Sequence, residues 1–425
     1  MKVLLCHTRY LQRGGEDCSF EEERDLLRAG GHDVLEYLRT NEDMQAMGSL
    51  RAATTTVWNR RAARDVAALV QRERPAVVHV TNSFPLLSPA VCRVARRHGA
   101  AVVQALRNYR LLCAGSYLMR DGRPCEDCVG RAVPWPAVRH GCYRDSKAAT
   151  AAVAAMQVTH RLLGTWRRHV DAFFTLTEFA RSRFLAAGFP AERVHVKYNC
   201  VSPDPGPGQG GAGVVFVGRL SPEKGIRTML AAWRQFASLP ALTVIGAGPL
   251  AGEVASAAAE DPRIEWLGEL PSAEVHRRIG AARALLIASE WYETFGRTIA
   301  EAFAAGTPVV ASALGAMQEL VADRSIGWQF APGDAVDLAR AVAQAADCPP
   351  AEYAAMRLAA RREYEAKYTP QRNYRRLIEI YDVASQRRAA QFADEKSSAG
   401  VAIPRSPVPT ACGSVSKPHL ARSPQ

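Results

Sequence analysis

The chain reads as an α/β protein of two doubly wound, Rossmann-like domains facing a cleft. Three observations predict this. Short, continuous apolar runs recur along its 425 residues with helical segments between them, as parallel strands covered on both faces require. A Pro- and Gly-rich stretch at 202–213 (SPDPGPGQGGAG), which can bury almost nothing, divides those runs into two sets. The length itself exceeds what one ordinary core supports.

In chain order, strands are expected at 2–6, 76–80, 101–105 and 172–176, forming a first domain over 1–204. Within it, 107–144 is rich in Arg, Gly and Pro and reads as an insertion. An interdomain linker occupies 205–213. Strands at 213–218, 242–246, 263–267, 284–288 and 308–311 then build a second domain over 214–370. The segment 371–386 has helical periodicity, whereas 387–425 is rich in Ser, Pro and Ala without a period and is expected to be disordered.

The composition excludes several classes. Charged residues make up 23% and hydrophobic ones 48%, ordinary for a globular protein. The long uncharged run 302–318 is broken by Gly306, Pro308 and Gly315, so no membrane-spanning helix is expected. The first residues read as a buried strand rather than an export signal, which suggests a cytoplasmic protein whose ten cysteines stay reduced. A net charge of +12 suits anionic partners: nucleotides or the inner face of an anionic membrane. Nucleic acid is not expected, because no aromatic-basic strip or known reading module is present.

The chemistry concentrates in the second half. Val214–Gly218 is a strand, and R-L-S-P-E-K-G (219–225) follows at its carboxyl end, where ligands bind in open parallel sheets. Arg219 and Lys224, on a Gly/Pro-braced turn, can grip a diphosphate. Farther on, Glu293 precedes a helix over 299–305 that stops at Gly306. The start of that helix, at Gly296, Arg297 and Thr298, offers free backbone N–H groups to a phosphate, and Glu301 lies about one and a half turns inside it.

These residues belong to a longer series: V-G-R-L-S-P-E-K-G (217–225), V-I-G-A-G-P (244–249), E-T-F-G-R-T-I-A-E (293–301), A-A-G-T-P-V-V-A-S (304–312) and G-A-M-Q-E-L-V (315–321). In this order and spacing they resemble the donor domain of the retaining glycosyltransferases of family four, which have the GT-B fold. In the first half, G-G-E (14–16), V-D-A-F-F-T-L-T-E-F-A-R (170–181) and V-K-Y-N-C-V (196–201) resemble the same family. The resemblance implies an enzyme that moves a sugar from a nucleoside-diphosphate sugar to a glycan or lipid-linked acceptor, in envelope or exopolysaccharide assembly. It implies that Arg219 and Lys224 bind the diphosphate, Glu301 the ribose, Glu293 the transferred sugar, and the 296–298 backbone a phosphate, with Gly246 and Gly248 on the donor side. Gly14 and Gly15 would face the cleft from the first domain, and 371–386 would cross back onto it. No Asp-x-Asp occurs, so no catalytic metal or other cofactor is expected.

The resemblance has gaps on the acceptor side. Where relatives often place a His, this chain has Arg107 beside Asn108, a cation that binds phosphate or an anionic acceptor but cannot serve as a base. Thr81 stands where a second His is common, and His79 is expected to be packed. Two other readings compete. Gly246-x-Gly248-x-x-Ala251 after a strand, with Glu265 beyond it, matches a dinucleotide fingerprint and would suit an NAD(P) oxidoreductase. A non-catalytic relative that only binds the sugar nucleotide is the other. Cys113, Cys125, Cys128 and Cys142 have the makings of a structural zinc site, or are four reduced cysteines in a loop. The segment 147–170, Ala-rich and then basic, is either a core helix or one that lies on anionic lipid.

Overall fold

A computed structural model describes residues 1–11, 14–322 and 324–400. One compact unit, Met1–Arg388, holds both large sheets; a second unit is Ala389–Gln425, in which 389–400 are helical.

The strands of the first half are β1 (Lys2–Arg9), β2 (Asp33–Thr40), β3 (Val77–Asn82), β4 (Ala101–Leu106), a two-strand hairpin of β5 (Met119–Arg120) and β6 (Arg123–Pro124), β7 (Ala172–Thr175) and β8 (Val194–Val196). Apart from the hairpin they form one parallel sheet in the order β2-β1-β3-β4-β7-β8. The second half contributes β9 (Val214–Val217), β10 (Leu242–Ile245), β11 (Ile264–Trp266), β12 (Ala284–Ile287), β13 (Val309–Ser312) and β14 (Gly327–Phe330), also parallel, in the order β11-β10-β9-β12-β13-β14. Val3, Leu4, Leu5 and Cys6 in β1, and the whole of β12 and β13, are buried, as strands covered by helices on both faces must be. This is the GT-B architecture of two facing Rossmann-like domains.

The segment 202–213 lacks regular structure, but it is not loose. Gly208 and Gly210 donate backbone hydrogen bonds to the carbonyls of Ala305 and Gly280, both at 2.9 Å, and Arg361 pairs with Asp204 at 2.7 Å. The second domain therefore holds the segment against itself. The chain crosses between domains a second time. The helix Pro350–Lys367 packs on the second domain, where Arg361 donates to the carbonyl of Ala304. The helix Pro370–Gly400 then returns to the first: Asn373 donates to the carbonyl of Tyr198 at 2.7 Å, Arg376 to that of Val196 at 3.0 Å, and Tyr381 hydrogen-bonds His79 at 2.8 Å. This helix does not stop at 386. Residues 387–400, for which disorder is expected from composition, are helical, and 401–425 lie outside the described residues.

His79 is thus a core residue of β3. Burial drives its pKa down to about 4 despite Glu23 nearby, and burial likewise lowers His160 and His169 to about 4. In the unfolded chain the same groups titrate near 6.5. Below that pH the unfolded chain binds protons that the native one refuses, so stability present above pH 6.5 is lost as pH falls toward 4. The melting temperature is expected to fall steadily between pH 6.5 and 4; a flat profile there would contradict the burial of these three rings.

Candidate active site

In the second sheet β9 and β12 are neighbours, and the strand order runs away from them in both directions. A crevice opens at the carboxyl ends of two such strands. The turn after β9 carries Arg219 and Lys224; the loop after β12 carries Glu293. Gly225 ends the first of these with φ +69°, and a Cβ there would lie 1.9 Å from the carbonyl oxygen of Ala288. Only glycine lets this turn seat against the end of β12. Opposite, the first domain presents the loop after β1, with Gly14 and Gly15, and the segment after β4, with Arg107 and Asn108. The space between is a cleft of about 760 Å³ whose walls include Gly14, Arg107, Arg219, Lys224, Glu293 and Thr298.

Lys224 and Glu293, far apart in sequence, form one unit. Lys224 Nζ reaches Glu293 Oε1 at 2.5 Å, and Ser289 donates to the same oxygen at 2.8 Å. Glu293 is 8% exposed, so its carboxylate is held in place rather than averaged in solvent. The first domain braces its backbone as well: the Tyr109 hydroxyl donates to the Glu293 carbonyl at 3.3 Å, and Thr177 to that of Thr294 at 3.2 Å. Arg219 lines the cleft and forms no ion pair among the described residues, which leaves its guanidinium for a ligand.

The helix Arg297–Ala304 starts at Gly296, whose φ is +86°. Its first N–H groups, at Arg297 and Thr298, have no partner within the helix and stand on the cleft wall. Arg297 is held between Glu22 of the first domain and Glu301, the latter at 3.2 Å. Glu301 lies behind this wall. Burial would raise its pKa, but His276 and Arg297 hold it below the usual carboxylate range.

Gly246 and Gly248 do not line the cleft. They have φ of +139° and +158°, and Cβ atoms there would lie 2.0 Å from the Gly218 carbonyl oxygen and 2.4 Å from that of Leu220. The fingerprint glycines admit the protein's own β9 turn, not a pyrophosphate. β10 pairs with β9 on the side opposite β12, so the fingerprint follows a strand outside the β9/β12 pair at which the strand order reverses. Arg107 lines the cleft, but its guanidinium is committed to Glu23 at 2.7 Å and Asn199 at 2.8 Å. Burial would raise the Glu23 pKa; Arg107 and Lys197 overcome that and hold it at about 2. Asn108 donates to Glu16 at 2.7 Å.

Sequence reasoning missed a second buried constellation. At the end of β1, His7 hydrogen-bonds Asp17 at 2.9 Å and Thr81 at 2.8 Å, while Asp17 accepts the N–H of Gly14 at 2.9 Å. Burial raises the Asp17 pKa, but these bonds bring it below its usual value. Thr81, where a second His is common in relatives, thus orients the histidine of the neighbouring strand. It also missed Tyr117 and Trp291, whose rings meet edge-on at 4.9 Å and tie the 107–144 insertion to the Glu293 loop. No motif marks either ring. Among the described residues no three His, Cys, Asp or Glu side chains are grouped to hold a metal, while Cys113, Cys125, Cys128 and Cys142 stand near enough to act on one another electrostatically within the insertion. All four are free, and burial raises the pKa of Cys128 to about 11.

Residues 211–347 match the family model described as glycosyl transferases group 1, and residues 26–200 match the glycosyl transferase 4-like domain. The chain belongs to the group 1, family-four glycosyltransferases. This group 1 chain is 34% identical over 149 residues to 2-deoxystreptamine glucosyltransferase of Streptomyces kanamyceticus, a match spanning 34% of this chain and 38% of that protein. It is 33% identical over 162 residues to glycogen synthase of Mycobacterium tuberculosis, spanning 37% of this chain and 39% of the relative. The matches therefore span about two fifths of the length of these curated relatives. Among solved structures, HepE of Anabaena in complex with UDP aligns with TM-score 0.64 at 16% identity, covering 90% of this chain and all of that one. Sucrose-phosphate synthase of Thermosynechococcus elongatus aligns with TM-score 0.66 at 16% identity, covering 90% and 98%. Both likenesses concern the fold.

Proposed function

We propose that the cleft transfers a sugar from a nucleoside-diphosphate donor to an acceptor hydroxyl, with retention and without a catalytic metal. The coupled pair Lys224–Glu293 at the β9/β12 crevice carries this reading. Arg219, Lys224 and the N-terminus of helix Arg297–Ala304 meet the diphosphate. Breaking the bond between the sugar's anomeric carbon and the phosphate oxygen leaves negative charge on that oxygen, and fixed cations stabilise it without reorganising. They supply the charge that a metal clamp would otherwise provide. Glu293 faces the transferred sugar and stabilises its oxocarbenium character. The acceptor oxygen attacks the same face, and its proton passes to the departing phosphate oxygen, so no protein nucleophile is needed. Glu301 acts on the ribose through the position it gives the first turn of its helix.

HepE was solved with UDP, which makes UDP the first nucleotide to try. Incubation with a UDP-sugar in EDTA, with the anomeric configuration of the product read by NMR, tests the reading. Inverted product would refute retention, and activity only with added divalent ion would refute metal independence. A binding-only relative would give no turnover with any donor.

The acceptor is proposed to be a glycan or lipid-linked sugar of envelope or exopolysaccharide assembly, met at the inner face of the membrane. No helix among the described residues is long and apolar enough to cross a membrane. The helix Lys147–Leu162 buries Val153, Met156 and His160, so its body belongs to the core and does not lie on lipid. Its end is different. Leu162, 83% exposed, adjoins Arg161, Arg167, Arg168 and Arg193 around a second hollow of about 510 Å³. Arginines beside an exposed apolar side chain suit an anionic surface. The protein is expected to co-sediment with anionic vesicles at low salt and Arg167→Glu/Arg168→Glu to stay in solution; equal binding to neutral vesicles would refute this contact.

A further inference from the structure

The cleft carries more positive charge than a donor uses. Its described lining includes six cations, Arg107, Arg110, Arg144, Arg219, Lys224 and Arg297, against two carboxylates, Glu16 and Glu293. Three of the cations are answered by protein: Lys224 by Glu293, Arg297 by Glu22 and Glu301, and Arg107 by Glu23. Arg219 stands on the donor side. Arg110 and Arg144 remain, both on the first domain's wall. Neither forms an ion pair among the described residues.

These two come from opposite ends of the insertion and meet on one ring. The guanidinium of Arg110 lies 4.3 Å from the centre of Phe84 and 4.9 Å from that of Tyr143; that of Arg144 lies 5.3 Å from Tyr143. Arg110 is further fixed by its bond to the Ala114 carbonyl and by its backbone N–H, which donates to Asn108 at 2.9 Å. Stacking on aromatic faces orients a guanidinium while leaving most of its donors unspent. Glu16, the carboxylate on this wall, is engaged by Asn108. Two cations sharing a ring repel each other unless an anion joins them, and planar guanidinium groups suit a phosphate or carboxylate.

We propose that Arg110 and Arg144 form an anion subsite for the acceptor, so that the sugar-accepting molecule carries a phosphate or carboxylate close to the attacked hydroxyl. The insertion would then select the acceptor, while the β9 and β12 loops handle the donor. This rests on the transferase reading of the cleft.

Calorimetry tests it with inorganic pyrophosphate and glucuronate as probes, on protein saturated with UDP. At least one probe is expected to bind, and Arg110→Gln/Arg144→Gln to weaken it at least tenfold with UDP affinity unchanged. A stronger response to pyrophosphate assigns the phosphate, and a stronger response to glucuronate the carboxylate. Binding of neither probe, or equal binding by the double variant, would overturn the subsite. Should the double variant fail to fold, the exposed Arg144→Gln alone is expected to weaken the probe at least threefold, and an unchanged affinity would overturn it equally. If UDP does not bind, the donor reading has failed separately. The same probes then go to Arg219→Ala/Lys224→Ala without UDP, where the arginine pair is read directly.

Discussion

Replacing Glu293 by Gln is expected to lower kcat by about 10²–10³-fold, the cost of removing one preorganised group aimed at developing charge. The affinity for UDP should stay within about threefold. The carboxylate shares its Oε1 with Lys224 and Ser289, so its loss frees a cation without removing one. Glu293→Gln keeps the shape and the contact with Ser289, which separates charge from packing. Parallel turnover assays and UDP titrations check this. A variant that turns over normally would move the catalytic role elsewhere; one that loses UDP binding as severely as turnover would make Glu293 a donor-binding residue instead.

The larger effect belongs to Lys224. In Lys224→Ala the phosphate loses a cation and also gains a neighbour, because Glu293 is left as a buried carboxylate without its partner. Breaking one side of such a pair costs more than the pair contributes. Both UDP affinity and kcat are expected to fall, with kcat/KM down by about 10³-fold or more. Lys224→Ala/Glu293→Gln should regain part of the lost UDP affinity, though not the turnover. The full cycle of single and double variants checks this coupling, and strictly additive losses would mean that the two side chains act independently.

The residues proposed to meet the donor were legible as motifs. Arg219, Lys224, Glu293 and the 296–298 turn stand in short motifs on loops that the parallel sheets bring to one crevice, so local sequence and topology together suffice. The acceptor side depends on contacts distant in sequence. Arg107 looked available for a ligand because nothing in its own segment shows Glu23 and Asn199 closing on it. Tyr109 and Tyr117 matter only because the insertion folds back to the Glu293 loop. In the fold, the central strands announced themselves as apolar runs. β2, β8 and β14, all at sheet edges, did not: β2 (DVLEYLRT) alternates charge with apolar residues, and β8 is only three residues long. An edge strand has one neighbour and more solvent, so it needs less apolar sequence. The fingerprint at 246–251 offered a competing reading for a physical reason too, since close backbone approach demands glycine whether the visitor is a pyrophosphate or the protein's own turn.

On the proposed reading, Arg219 and Lys224 make the β9/β12 crevice a nucleoside-diphosphate site. Titration calorimetry of wild type and Arg219→Ala/Lys224→Ala with UDP, GDP, ADP and NAD(P), all in EDTA, tests it most directly. One nucleoside diphosphate is expected to bind the wild type without metal, and the double variant to lose this binding. NAD(P) binding alone, unchanged in the double variant, would contradict it.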